Sequence, residues 1–161
     1  MPKRDSFAVR ASRRRYENYN KACPICGQAD PLLLTDDGTC ANCASGYQAE
    51  EHHILPKAYR TTPEDEQAVI PISPNAHRLV SDMQVDHPAP PELDSASYLP
   101  SLLLELLVSF IQLALALEYV NEQPNIARSA STCALILFVF WCVLNVSRID
   151  LAKMLTYDKE A

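Results

Sequence analysis

Hydrophobic and polar positions divide this 161-residue chain at about Leu99. Before that point apolar residues come in short groups among charges, turns and cysteines. Beyond it they form two long runs, Leu99–Val120 and Ala130–Val146. In the first run Ser101, Glu105, Ser109 and Gln112 recur at spacings of four, four and three, one narrow stripe of a helix whose other faces are apolar. The second holds twelve consecutive apolar residues from Cys133 to Leu144. Asn121-Glu122-Gln123-Pro124-Asn125 supplies a turn between them, so the pattern predicts a helical hairpin. Upstream, Ser73 or Asn75 caps a predicted helix that turns Leu79, Val80 and Met83 inward. Residues 46–53 read as the second arm of a β-hairpin that ends near Pro56.

These elements predict an α+β chain in five parts: a basic arm over 1–21, helical from Ser6 to Tyr19, a metal-rich unit over 22–87, a Pro-rich linker over 88–98, the two-helix hairpin over 99–148 and a tail over 149–161. A unit of about 65 residues buries little apolar surface, so a metal staple would matter to its folding.

Two environments fit the hairpin. Both runs approach the length needed to cross a hydrocarbon core about 30 Å thick. Arg148, Lys153 and Lys159 beyond the hairpin, together with the basic upstream part, predict a membrane protein whose zinc domain and C-terminus both face the cytosol. In the other reading the chain is cytoplasmic, and the hairpin buries its apolar faces in a homodimer or bundle with the polar stripe as its wet side.

Composition narrows the partners. A net charge of -6 argues against wholesale adhesion to nucleic acid, yet residues 1–21 hold Lys3, Arg4, Arg10, Arg13, Arg14, Arg15 and Lys21 against only Asp5 and Glu17. The arm is able to meet phosphates, and it equally fits a solvated tail. The first twenty residues lack the apolar run of a signal peptide, so the six cysteines are expected in a reducing compartment.

There, paired C-x-x-C cysteines point to metal. Cys23-Pro24-Ile25-Cys26 and Cys40-Ala41-Asn42-Cys43 stand thirteen residues apart, with Gly27 and Gly38 beside them. Four thiolates make a closed tetrahedral site for structural zinc with no position left for water. A redox dithiol is the competing use of either pair. Cys133 and Cys142 lie in the apolar run and read as small hydrophobes. His87 and Trp141 carry no predicted chemistry.

Glu51-His52-His53-Ile54-Leu55-Pro56, followed by Val69-Ile70-Pro71-Ile72-Ser73-Pro74-Asn75-Ala76-His77-Arg78-Leu79-Val80, resembles the HNH endonucleases, the His-Me finger nucleases with a ββα-metal motif. The resemblance covers residues 22–83 and implies a small zinc-stapled ββα domain that hydrolyses DNA phosphodiester bonds. It implies that His52 and His77 hold a catalytic divalent ion, Mg2+ or Mn2+, and that His53 is the general base. Imidazole titrates near neutrality, as a base for water requires. Arg13, Arg14, Arg15 and Arg78 are the expected contacts to the DNA backbone.

The chain departs from the family pattern at three places. Gln67 and Ala68 stand where the family carries Asn, Ser73 and Ala76 replace the cysteines of a second knuckle, and Ser81 replaces a further histidine. A non-catalytic zinc-binding membrane adaptor with a degenerate HNH fold is the reading from another class.

Overall fold

The computed structural model describes residues 5–59, 68–84 and 90–157, the last twelve of these by backbone alone. Gln67, His87 and the first four residues of the basic arm therefore lie outside the described residues.

Helix α1 spans Phe7–Glu17 and starts where the Ser6 hydroxyl accepts the Val9 N–H at 3.4 Å. It is not a free arm. Arg10 and Arg14, one helical turn apart, both reach Asp82 near the end of α3, and Phe7 packs on the main core. Next come the two cysteine turns. Leu34 and Cys40 form an antiparallel bridge, and the four-residue helix α2, Ala41–Ala44, follows.

Strand β1, Glu50–His53, pairs antiparallel with β2, Val69–Ile72, so that His52 opposes Ile70 and Glu50 opposes Ile72. The His-His strand is thus the first arm of its hairpin and not the second. Residues 46–49 cannot extend it backwards, because Gly46 and Tyr47 both take positive φ and the Tyr47 N–H closes onto Asn42 O at 2.7 Å. Pro71 costs nothing in β2, since in a two-stranded sheet one side of each strand needs no donor. Ser73 then caps α3, Pro74–Met83, accepting the Ala76 N–H at 3.2 Å with Pro74 at the first turn.

The hairpin consists of α4, Tyr98–Val120, and α5, Pro124–Tyr157. Asn121 ends α4 in the left-handed conformation that asparagine tolerates, and Pro124 opens α5 where its missing N–H has no partner to lose. Tyr98–Val120 and Pro124–Asn145 are each long and apolar enough to cross a membrane. The polar stripe of α4 turns inward and is not a wet side: Glu105 is 4% exposed, Ser109 1%, and Gln112 Nε2 donates to Met83 O at 3.5 Å.

The turn end of the hairpin is built into the rest of the fold. Ile72, Ala76, Leu79 and Val80 share one buried cluster with Leu113, Leu117, Ala127 and Ala130. Burial of each large member contributes about 1.5–3 kcal/mol. Gln123 Oε1 accepts the Ser73 N–H at 3.0 Å, and Asn42 Nδ2 donates to Glu122 Oε1 at 2.8 Å. A hairpin that crosses a bilayer from a cytosolic zinc domain needs its turn on the far side. Here the turn lies on the cysteine-bearing unit itself.

Candidate functional site

The cysteine site is assembled by two tight turns. Gly27, at φ 77°, lets its own N–H close onto Cys23 O at 2.9 Å while the Cys23 N–H donates to Gln28 O at 2.8 Å. Around the second pair the Ala44 N–H donates to Cys40 O at 3.0 Å. The sulfurs of Cys23, Cys26, Cys40 and Cys43 all lie within 4.8 Å of one another, and Cys26 Sγ stands 3.5 Å from Cys40 Sγ. Four thiolates at tetrahedral zinc, each with a bond of about 2.3 Å, stand about 3.8 Å apart. The four cysteines are therefore able to hold a structural metal such as zinc. Among the described residues no other cluster of three or more histidine, cysteine or acidic side chains comes this close.

The thiols sit in unlike surroundings. Backbone donors, led by the N–H of Cys40, hold the Cys23 thiol down to about 6, whereas burial pushes that of Cys40 up to about 12. Cys43 Sγ also lies 3.1 Å from the Tyr47 hydroxyl. Cys133 and Cys142 are half-buried on α5, far along the chain from this cluster.

The histidines follow from strand alternation and one helix. Glu50 and His52 point to one face of β1 and His53 to the other. His77, in the first turns of α3, meets the Glu50–His52 face. The His52 and His77 ring centroids are 5.5 Å apart in an edge-on arrangement. His77 Nδ1–H donates to Glu50 Oε2, which fixes the orientation of the ring. His52 is 2% exposed, and the Gln84 amide stands 3.4 Å from its Nε2 while donating to Ile54 O at 3.4 Å. His53 is half-buried, and its Nδ1 is enclosed without a hydrogen-bond partner.

Thus the structure brings together two of the three predicted histidines and sets His53 on the opposite side of the strand. Sequence reasoning passed over Glu50 and Gln84. Glu50 was findable, since two residues before His52 means the same strand face.

The arginines divide as well. Arg14 donates to the Asp82 carboxylate and is 17% exposed, so it serves the packing of α1 on α3 rather than a surface for DNA. Arg13 pairs with Asp5 at 2.7 Å on the exposed face, and Arg15 is exposed. Arg78 is half-buried with its Nε unpartnered, and burial, aided by the neighbouring Arg14 charge, lowers its pKa. Beside the second cysteine turn, Asn42, Tyr47, Ala49, Ser73, Glu122 and Gln123 line an open cavity of about 300 Å³.

Searches of protein-family models, curated proteins and solved structures found no match to this chain.

Proposed function

We propose that this chain is a metal-dependent, HNH-type endonuclease that hydrolyses phosphodiester bonds in DNA, with zinc at its four cysteines and a membrane anchor in α4 and α5. One observation carries the reading: His52 on β1 and His77 on α3 meet at 5.5 Å, backed by Glu50, in a chain order of strand, strand and helix. Two imidazoles that share one ion, each bonded to it over about 2.1 Å, stand at about this separation.

In this reading His52 and His77 would hold a divalent ion, Mg2+ or Mn2+, which would supply counter-charge to the phosphate and the leaving oxygen. Glu50 keeps His77 in one tautomer. His53, the last residue of β1, would take the proton from the attacking water where the strand ends. Arg13 and Arg15 supply backbone contacts to the nucleic acid without reading its sequence.

A non-catalytic zinc domain that binds partners through the same fold is favoured by the burial of His52, 2% exposed and overlaid by the Gln84 amide. Supercoiled plasmid separates the two readings. The purified chain with Mg2+ or Mn2+ converts it to nicked circles and chelator stops the conversion, whereas plasmid left intact under all metals rejects the nuclease.

A further inference from the structure

We infer that the hairpin binds a lipid bilayer from one side, laying the outward face of α5 into the membrane interface while its turn stays on the metal-binding unit. The inference rests on the reading of α4 and α5 as the membrane anchor and replaces the crossing that their length alone permits.

The turn is the first observation. Asn42–Glu122, Ser73–Gln123 and the Tyr119 hydroxyl on Asp30 tie it to three separate places in the cysteine-rich part. Leu113 and Leu117, 1% and 0% exposed, are shared with α3. With these contacts made, the turn cannot stand about 30 Å away across a hydrocarbon core. Undocking it would expose this whole cluster and leave the Asn42 amide without its acceptor.

The second observation is the width of the uncovered face. Leu135, Ile136, Phe138, Val139, Phe140 and Val143 are between 49% and 64% exposed. At about 100° per residue they cover about 200° of the helix circumference. A single partner helix occupies roughly 100°, and Leu104, Ile111 and Leu115 of α4 are exposed as well, so the uncovered apolar surface spans both helices. A lipid interface covers all of it. Residues 129–147 contain no charged side chain, and Arg128 marks the end of the band nearest the metal-binding unit. α5 has no charged face of its own over this stretch; its inward side packs on α4, which leaves the outward face for lipid.

Trp141, the only tryptophan, lies half-buried in this stretch of α5 on the side toward Leu99 and Pro100, within about 10 Å, one helix diameter, of the outward face. The full chain is mixed with phosphatidylcholine vesicles that carry brominated acyl chains, and its emission is compared with that in unbrominated vesicles. In parallel Ser12→Cys on α1 and Asn125→Cys beside the turn, both exposed positions, are labelled with a membrane-impermeant maleimide above the background of the parent chain. The expected result is loss of Trp141 emission in brominated vesicles and equal labelling of both positions. Loss of emission with Asn125→Cys protected and Ser12→Cys labelled means that the hairpin crosses, which overturns the one-sided arrangement but keeps the anchor. Unchanged emission overturns the anchor itself, and a concentration-dependent dimer in the same sample identifies a second copy as the occupant.

Discussion

Asn42 and Asn75 bind each other's backbone reciprocally: the Asn75 N–H donates to Asn42 Oδ1 at 2.9 Å, and the Asn42 N–H donates to Asn75 Oδ1 at 3.2 Å. Asn42 lies between Cys40 and Cys43, whereas Asn75 is the second residue of α3. The exchange joins the cysteine turn to the helix that bears His77. The remaining Asn42 amide reaches Glu122 on the hairpin turn, so one side chain holds three parts of the fold.

Asn42→Asp keeps the acceptor for the Asn75 N–H but removes the donor to Glu122 and sets two carboxylates side by side. The loss in unfolding free energy should be about 1–3 kcal/mol, the cost of an unmet buried polar group. Adding Glu122→Gln should recover part of it. Urea unfolding of the two single variants and the double variant checks this, with coupling between the sites as the expected outcome.

Asp82 offers a second test of how the N-terminal helix is held. Its carboxylate accepts from Arg14 and forms an ion pair with Arg10, whose Nε stands 3.6 Å away, all three side chains being 12–17% exposed. Asp82→Asn should destabilise the chain by about 3 kcal/mol, the lower end for removal of one member of a buried pair. Added salt should not restore the loss, since burial shields the arginines from screening. Thermal unfolding at low and high salt measures both effects.

Cobalt substitution reads the cysteine site without relying on activity. One equivalent per chain should produce the intense visible bands of tetrahedral thiolate coordination. Cys26→Ser should weaken them, while Cys133→Ala with Cys142→Ala should leave them unchanged. Chelation should also lower the unfolding midpoint, because metal binding and folding are linked.

Much of this architecture was legible in the chain. C-x-x-C pairs with adjacent glycines specify a four-sulfur cluster because the spacing is local and the chemistry allows few other uses. Ser73 and Pro74 mark the start of α3 for an equally local reason. What stayed hidden depends on distant partners. The strand that pairs with β1 lies downstream across residues 60–67, and nothing in Val69-Ile70-Pro71-Ile72 names its neighbour. Arg14 looks like a phosphate contact until Asp82, 68 positions away, is beside it. Glu122 and Gln123 read as ordinary turn residues, so the docking of the hairpin had no local signal. The inward direction of Glu105 and Ser109 was one of two that the sequence allowed, since a polar stripe fits either a wet face or a buried seam against the second helix.

At the histidines, strand alternation foretold that His52 and His53 would part. It could not foretell that Glu50 would hold His77. With His52 and His77 holding a divalent ion as proposed, Glu50→Gln should weaken Mn2+ binding about 10–100-fold while zinc content stays unchanged. Isothermal titration of the zinc-loaded chain measures it, with His77→Ala as the variant that loses the site.

The nuclease proposal is tested most directly by the rate of plasmid nicking for the zinc-loaded chain and for His53→Ala, at matched zinc content and matched unfolding midpoint. With His53 as the base, its removal should slow nicking at least about 100-fold while Mn2+ binding persists. Equal rates for the two proteins would contradict the assignment.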